Sequence, residues 1–248
     1  HGQMVQGELG CPALEVITAA GVCTCGMTAL LYAYLNIAAG LARNGISSAS
    51  EFASSFMRGS NFDPELASRV TELEKQPELA FEKDFLRWML SDGAGAALLR
   101  DTPNPDRLSL RIDWIDGLSF AGEMPVCMYS GAIMGEDGRL QGWREAQNVQ
   151  DMLSHSYFAV KQDARLLNDQ VAHVTVNRAL PGIARKYDLR AQDVAWFVPH
   201  YSSEYFRPRL FDALAESNFP IPQERWFTNL TSKGNIGSAA IYVMLEEL

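Results

Sequence analysis

The chain has little cysteine: four thiols in 248 residues, Cys11, Cys23, Cys25 and Cys127. Four cysteines in a chain of this size do not make a secreted disulfide framework. Cys23-Thr24-Cys25 lacks the two-residue spacer of a zinc ligand pair, and no second pair completes a tetrahedral set, so no metal is expected. Long hydrophobic runs are missing too. The most apolar stretch, from Met27 to Ala39, falls short of the about 20 residues that span a bilayer, and no membrane association is expected. Nothing at His1 reads as a secretory leader, which makes the cytoplasm the expected compartment. Positive charge is scarce, with 21 Lys and Arg against 30 Asp and Glu and a net charge of −9. The molecule as a whole is therefore not expected to seek nucleic acid or anionic membrane. Low-complexity tracts are absent, and 47% hydrophobic with 21% charged residues excludes a disordered chain. The length suits one large domain or two fused halves.

What is present begins with a strand-like run, Ala13-Leu14-Glu15-Val16-Ile17-Thr18-Ala19-Ala20, that turns through Gly21-Val22-Cys23-Thr24-Cys25-Gly26 into a helix over Met27 to Ala39. Beyond its first turn that helix has only Thr28 and Asn36 as clearly polar side chains, a composition that predicts cover on all sides and a middle layer of a layered fold. Gly40 closes it. A strand is expected within Asn44 to Ser55, and residues 58–84, charged and without strong period, read as a surface insertion with some helix. Ser91-Asp92-Gly93-Ala94-Gly95-Ala96-Ala97-Leu98-Leu99 reads as a turn feeding a buried strand. Thr102-Pro103-Asn104-Pro105-Asp106 marks a boundary, and Leu108 to Ile112 alternates as a strand should. Residues 116–150 read as an irregular excursion. A long amphipathic helix is expected over Met152 to Tyr187, interrupted near Pro181-Gly182. Asp193 to Val198 is a continuous apolar strand of the kind buried on both faces. A helix over Arg209 to Ala215 entered through Pro208, a strand over Trp226 to Leu230, a turn at Lys233-Gly234 and a helix over Ile236 to Glu247 complete the pass. Strand, turn and helix recur three times, so the simplest architecture is α/β with two halves of similar design, 1–104 and 105–248.

Three residues could carry chemistry. Cys23 sits where unpaired backbone N–H groups and the positive end of a helix dipole converge, an environment that favours thiolate, the form that attacks thioesters. The same amides can hold an oxyanion. His200 follows a buried strand, at the sheet edge where ligands bind in open α/β folds. Asn235 stands in Lys233-Gly234-Asn235-Ile236-Gly237-Ser238-Ala239-Ala240, and alone it would read as a turn residue. A thiol, an imidazole and a carboxamide together form a set for thioester chemistry. His155 and His173 lie in helical sequence and read as surface groups or satisfied partners. Asp92-Gly93-Ala94-Gly95 lacks the third glycine of a dinucleotide fingerprint and the lysine of a Walker loop, so it reads as close backbone packing. Cys25 and Cys127 read as small buried hydrophobes.

Four segments in order resemble ketoacyl-ACP synthase III and its relatives in the thiolase superfamily. Val22-Cys23-Thr24-Cys25-Gly26-Met27 looks like the nucleophile turn of that family. Ser91-Asp92-Gly93-Ala94-Gly95-Ala96-Ala97 is similar to its Gly-Asp-Gly-Ala-Gly-Ala strand, Trp196-Phe197-Val198-Pro199-His200 to its Trp-Phe-Val-Pro-His, and Lys233-Gly234-Asn235-Ile236-Gly237-Ser238-Ala239 to its Tyr-Gly-Asn-Thr-Ser-Ala block. The likeness runs from about Met4 to Leu248. It implies a thiolase-like five-layer αβαβα fold of two duplicated halves.

The resemblance also implies an acyltransferase. Cys23 would accept an acyl group from acyl-CoA or an acyl carrier protein. His200 and Asn235 would bind the carbonyl of a malonyl-type thioester and stabilise the enolate formed as carbon dioxide leaves. That enolate would attack the acyl-cysteine, a decarboxylative Claisen condensation of fatty-acid or polyketide biosynthesis. A thioester lowers the barrier to its own enolate, so no cofactor is expected. Arg207 and Arg209, beside His200 in sequence, could guide an acidic carrier protein or a CoA phosphate, or simply solvate their helix. Acyl transfer to an alcohol or amine, and an inactive scaffold subunit, are the competing readings. The chain departs from the family where Met27 or Thr28 replaces an aromatic residue, and in longer segments at 58–84 and 117–150. Family strands before Met4 and a glycine-rich loop after Leu248 look missing, so the chain alone is not expected to close the fold. A homodimer meeting through Leu14 to Ala19 is expected.

Overall fold

The computed structural model describes residues 1–63, 74 and 84–248. The chain gathers into two compact units that interleave along the sequence. Unit 1 comprises His1–Glu51, Gly93–Ile115 and Ile236–Leu248, and unit 2 comprises Phe52–Asp92 and Asp116–Asn235.

Unit 1 is built on small residues. Helix α1 spans Gly2–Glu8 and α2 spans Cys25–Ala38, with Thr24 as its N-cap and Gly40 just beyond its end. Strand β1, Asn44–Glu51, pairs antiparallel with β2, Gly93–Arg100, over eight register positions from Asn44 opposite Arg100 to Glu51 opposite Gly93. Alternation along the strands puts Gly45, Ser47, Ala49 and Glu51 on one face with Gly93, Gly95, Ala97 and Leu99. That face is nearly bare of bulk, which allows α2 and the helix Ala240–Glu247 to lie close upon it. A Cβ on Gly95 would fall 2.5 Å from the Cβ of Tyr242, and one on Gly93 would fall 2.9 Å from Ile236. The glycines of Asp92-Gly93-Ala94-Gly95 therefore serve backbone packing, as their sequence context suggests. Leu30, Leu99 and Tyr242 form the centre of this core, flanked by Ala33, Tyr34, Ile37 and Ile241. The opposite face of the ladder is open, with Ile46 and Leu98 exposed.

Unit 2 has a larger apolar core of Val176, Tyr201, Phe206, Leu210, Leu214, Phe219, Ile221 and Trp226. Two helical runs hold it. One passes from Ala164–Ala172 through a π-helical stretch, His173–Ala179, into Leu180–Lys186, and the other is Arg207–Glu216 with Pro208 in its first turn. A hairpin of Ala132–Met134 and Leu140–Gly142 and a two-residue ladder of Met128–Tyr129 with Lys161–Gln162 lie in the excursion after residue 116. Lys161 is buried there and donates to the carbonyls of Ala132 and Ser156 at 2.9 and 2.6 Å.

Several expectations are corrected. Ala13–Ala20 and Leu108–Ile112 join no ladder among the described residues, and the apolar side chains Leu14, Ile17, Leu108 and Leu110 are exposed. Residues 193–198 and 226–230 shrink to one parallel bridge, Phe197 with Trp226, and Trp196 is exposed rather than buried on both faces. Apolar alternation specifies which side chains want cover, but a strand exists only where a second strand takes up its backbone groups. The helix expected over Met152–Tyr187 is broken at 155–163 instead of at Pro181. His155-Ser156-Tyr157-Phe158 are weak helix formers, Ser156 takes a φ of 50°, and Asp163 caps the next helix by accepting from the Leu166 N–H. Pro181 follows the widened π turns, where the loss of its N–H breaks no regular α pattern. Helix α2 is covered less than its composition suggests, since only Gly26 and Leu30 are buried while Leu35 is 52% exposed. The insertion expected at 58–84 lies mostly outside the described residues.

Leu214 is 2% exposed in the core of unit 2, whereas Leu98 is 65% exposed on the open face of unit 1. Leu214→Ala is expected to lower unfolding free energy by about 2–5 kcal/mol in a denaturant titration, and Leu98→Ala by less than about 1 kcal/mol. Equal effects would contradict this placement of the core.

Candidate active site

Cys23 occupies the turn that leads into α2, two residues before the first helical residue. The turn is closed by the Cys25 N–H donating to the Val22 carbonyl at 3.0 Å. Cys23 is half-buried. Burial pushes its thiol above the ordinary value, the Glu51 carboxylate and Cys25 push it further, and a hydrogen bond from its own backbone N–H opposes them. Desolvation first, and then the Glu51 charge, thus work against the thiolate that the helix end is expected to favour. Cys25 and Cys127 are half-buried rather than enclosed.

The surroundings of Cys23 within unit 1 are unusually tight. Gly26, three residues on, lies so close to Ser238 that a Cβ would stand 2.1 Å from the Ser238 carbonyl oxygen. Tyr242 donates to the Gly26 carbonyl at 2.9 Å and receives the Ser47 hydroxyl at 2.7 Å, because a phenol has a single proton to give. Glu51 ends β1 with its carboxylate accepting both the N–H and the hydroxyl of Ser238, at 3.0 and 2.6 Å. Within unit 1 the cysteine turn and the Ile236-Gly237-Ser238 end of the last motif segment therefore meet through Gly26 and Ser238. Glu51, Ser47 and Tyr242 were missed by sequence reasoning. Period-two alternation along Ser47-Ser48-Ala49-Ser50-Glu51 was the signal, since it puts the acid on the covered face.

His200 and Asn235 belong to unit 2, and Cys23 to unit 1. His200 follows the bridge at Phe197, where the Phe197 N–H donates to Arg225 at 2.8 Å and Phe197 accepts from Phe227 at 2.9 Å. The ring of Phe197 meets Trp226 edge-on at 4.9 Å between centroids. His200 keeps an exposed surface, while the protein packed around it lowers its pKa by desolvation. Asn235 is buried at 3% exposure, and its carbonyl accepts the Ser91 N–H at 2.9 Å, next to a parallel bridge between Asn235 and Leu90. The preceding Gly234 has φ 74°, and a Cβ there would fall 2.1 Å from the Ser91 hydroxyl. Asp92 continues the anchor by accepting from the Ser54 N–H at 2.8 Å and its hydroxyl at 2.5 Å, which hold its carboxyl below the usual range.

Both arginines have partners inside the protein. Arg207 stacks over Trp226 at 5.6 Å with Glu204 at 4.0 Å. Arg209 donates to the Asn168 carbonyl at 3.1 Å and to the Tyr205 hydroxyl at 2.5 Å, above the Tyr205 ring. His155 pairs with Asp151 at 2.8 Å. Among the described residues no helix is long and apolar enough to cross a membrane.

The chain aligns over 99% of its length with the beta-ketoacyl-[acyl carrier protein] synthase III of Thermus thermophilus, covering 62% of that chain at 19% identity with a TM-score of 0.62. The chain has the thiolase-type fold. AbyA1, a tetronic acid condensing enzyme, matches with a TM-score of 0.62 at 15% identity over 99% of this chain and 64% of its own. OleA of Xanthomonas campestris matches with a TM-score of 0.61 at 15% identity over 100% of this chain and 60% of its own. The chain thus spans about three fifths of the length of these structures. No family model matches, and no curated protein matches.

The His200 imidazole is expected to titrate below its ordinary value of 6.5. On acidification the unfolded chain takes up this proton first, so the contribution of neutral His200 to stability is present above about pH 6.5 and lost as pH falls through the folded-state pKa. Proton NMR of the imidazole resonance checks this, and a midpoint at or above 6.5 would contradict it.

Proposed function

We propose that this protein is a decarboxylative condensing enzyme of the beta-ketoacyl synthase type, acting in fatty-acid or polyketide biosynthesis. The observation that carries the reading is the packing of the cysteine turn on the Ile236-Gly237-Ser238 segment, Gly26 against Ser238, within a thiolase-type fold. Fold similarity to a ketoacyl synthase III and to a tetronic acid condensing enzyme supports the same class of reaction.

In this reading the Cys23 sulfur attacks the carbonyl of an acyl thioester and expels the CoA or carrier-protein thiol. As the acyl group transfers, the Cys23 thiol proton passes to the departing CoA or carrier-protein sulfur. A malonyl-type thioester then loses carbon dioxide, and the electron pair of the broken C–C bond becomes an enolate. Neutral His200 and the Asn235 carboxamide donate to the enolate oxygen. Aimed at developing charge, each such donor supplies about 3–4 kcal/mol. The enolate carbon attacks the acyl-cysteine carbonyl, a C–C bond forms and the sulfur departs. The thioester supplies its own acidity, and the scheme uses no cofactor. Arg207 and Arg209, although each is engaged inside the protein, are the charges this reading assigns to steering the acidic carrier or CoA phosphate. The working form is a cytoplasmic homodimer joined through Leu14 to Ala19, whose exposed apolar side chains Leu14 and Ile17 support that role.

With a malonyl thioester and an acyl donor, the wild-type protein is expected to release carbon dioxide. His200→Ala and Asn235→Ala should each reduce that rate by about 10²–10³-fold. His200→Ala, at an exposed position, should keep the wild-type thermal midpoint. Acyl transfer to an alcohol or amine with no carbon dioxide released would refute condensation.

A further inference from the structure

We propose that unit 2 carries a second binding site, a cleft that takes a medium-chain carboxylate with its head on Arg185 and Arg225 and its alkyl body along apolar walls. Neither Cys23, His200 nor Asn235 lines this cleft, and the proposal does not depend on the condensation reading.

The cleft measures about 620 Å³, within the about 300–1,000 Å³ of small-molecule sites. One wall is the helix Leu180–Lys186, through Leu180, Pro181 and Ala184. Another is the turn after the helix Arg207–Glu216, from Ser217 to Pro222. The remaining lining comes from Leu189 to Gln192 and from Arg225. Backbone bonds fix both turns: the Leu189 N–H donates to Ala184 at 2.9 Å, Asn218 to Ala215 at 3.1 Å and Phe219 to Leu214 at 2.9 Å. Phe219 and Ile221 are sunk in the core of the unit. The walls are thus formed without a ligand, which lowers the ordering cost of binding.

The whole chain carries a net charge of −9, yet this lining holds three arginines and, among the described residues, no acid. Arg190 is neutralised by Asp193, outside the lining, which accepts from its Nε at 2.8 Å and its Nη2 at 3.0 Å. Arg225 is different. Its Nη1 donates to the Gln192 and Val194 carbonyls at 3.3 and 2.9 Å, which holds the guanidinium in place without cancelling its charge. Arg185, in the last turn of its helix, has neither ion pair nor hydrogen bond among the described residues. A guanidinium fork matches a carboxylate, so two such cations beside an apolar surface favour an anionic head.

The body of the ligand follows from the rest of the lining. Among the described lining residues the one ring, Phe219, is buried and offers no face on which a base could stack. The N–H groups of Leu189, Asn218 and Phe219 are engaged, and Pro220 and Pro222 have none, so the cleft presents no backbone edge to a peptide. Leu180, Ala184, Leu189 and Pro222 leave aliphatic surface, which suits an alkyl chain.

Equilibrium dialysis of the full chain against decanoate, with acetate as the head alone and decanol as the body alone, tests the pairing. Decanoate should bind, and each half at least about tenfold more weakly. Arg185→Glu reverses an exposed charge and should weaken decanoate about threefold to tenfold with the thermal midpoint unchanged. Ala184→Phe keeps the charges, narrows the cleft and should weaken decanoate by a similar factor. A photoreactive diazirine analogue of decanoate should cross-link to peptides within 180–192 or 217–225. No binding of decanoate, equal binding of acetate or decanol, an affinity unchanged in both variants, or labelling confined to other peptides, those of Cys23 and His200 included, overturns the proposal. Decanoate is not a thioester and cannot acylate Cys23, so these results stand apart from success or failure of the condensation assay.

Discussion

The rest of unit 1 depends on one close approach, the backbone of Gly26 against the carbonyl of Ser238, where no side-chain carbon fits. It requires a strand face stripped to glycine, alanine and serine, and the Gly45-Ser47-Ala49 row opposite Gly95 and Ala97 supplies that. Burying so little bulk yields modest hydrophobic stabilisation. The deficit is offset by polar groups that are fully engaged: the Ser47–Tyr242–Gly26 chain and the Glu51–Ser238 pair. Buried polar groups with complete partners specify one arrangement more sharply than a sliding apolar contact would. The outcome is a cysteine turn with a fixed place relative to Gly237 and Ser238 within unit 1.

Unit 2 follows a different economy. Its aromatic and aliphatic core carries the stability, and the segments bearing His200 and Asn235 hang from it by very short pairings. Phe197 with Trp226 and Leu90 with Asn235 are single bridges, each reinforced by backbone bonds of 2.8–2.9 Å. Trp226 ties the first of these to the core by donating its indole N–H to the Ile221 carbonyl at 3.0 Å. Anchors of this kind fix a functional residue within a few positions of rigid structure without needing a full strand.

The sequence made much of this legible, and the reasons for the misses are physical. Helix α2, the ladder of Asn44–Glu51 with Gly93–Arg100 and the helix Arg207–Glu216 were readable because their signals are local: a glycine beyond a helix end, small residues in alternation, a proline in a first turn. The segments at 13–20, 108–112, 193–198 and 226–230 carry strand-like apolar runs, but among the described residues they form no ladder beyond the single Phe197–Trp226 bridge, and pairing is a long-range property. The break at 155–163 was hidden because periodicity on either side masked the weak helix formers between. At the site, Cys23, His200 and Asn235 stood out by motif. Glu51 did not, because its importance comes from Ser238, a residue 187 positions away. The upward push on the Cys23 thiol is illegible for the same reason, since the helix end is local whereas the burial that chiefly causes it, and the Glu51 charge after it, come from the fold.

Burial works against charge on Cys23 in unit 1 and on His200 in unit 2 alike, pushing the thiol up and the imidazole down. The central claim is that Cys23 accepts an acyl group. It is tested most directly by intact mass spectrometry of the wild-type protein and Cys23→Ala after exposure to a panel of acyl-CoAs. The account predicts a mass gain of one acyl group that is lost in the variant. No gain with any donor, or a gain that survives the substitution, would contradict it.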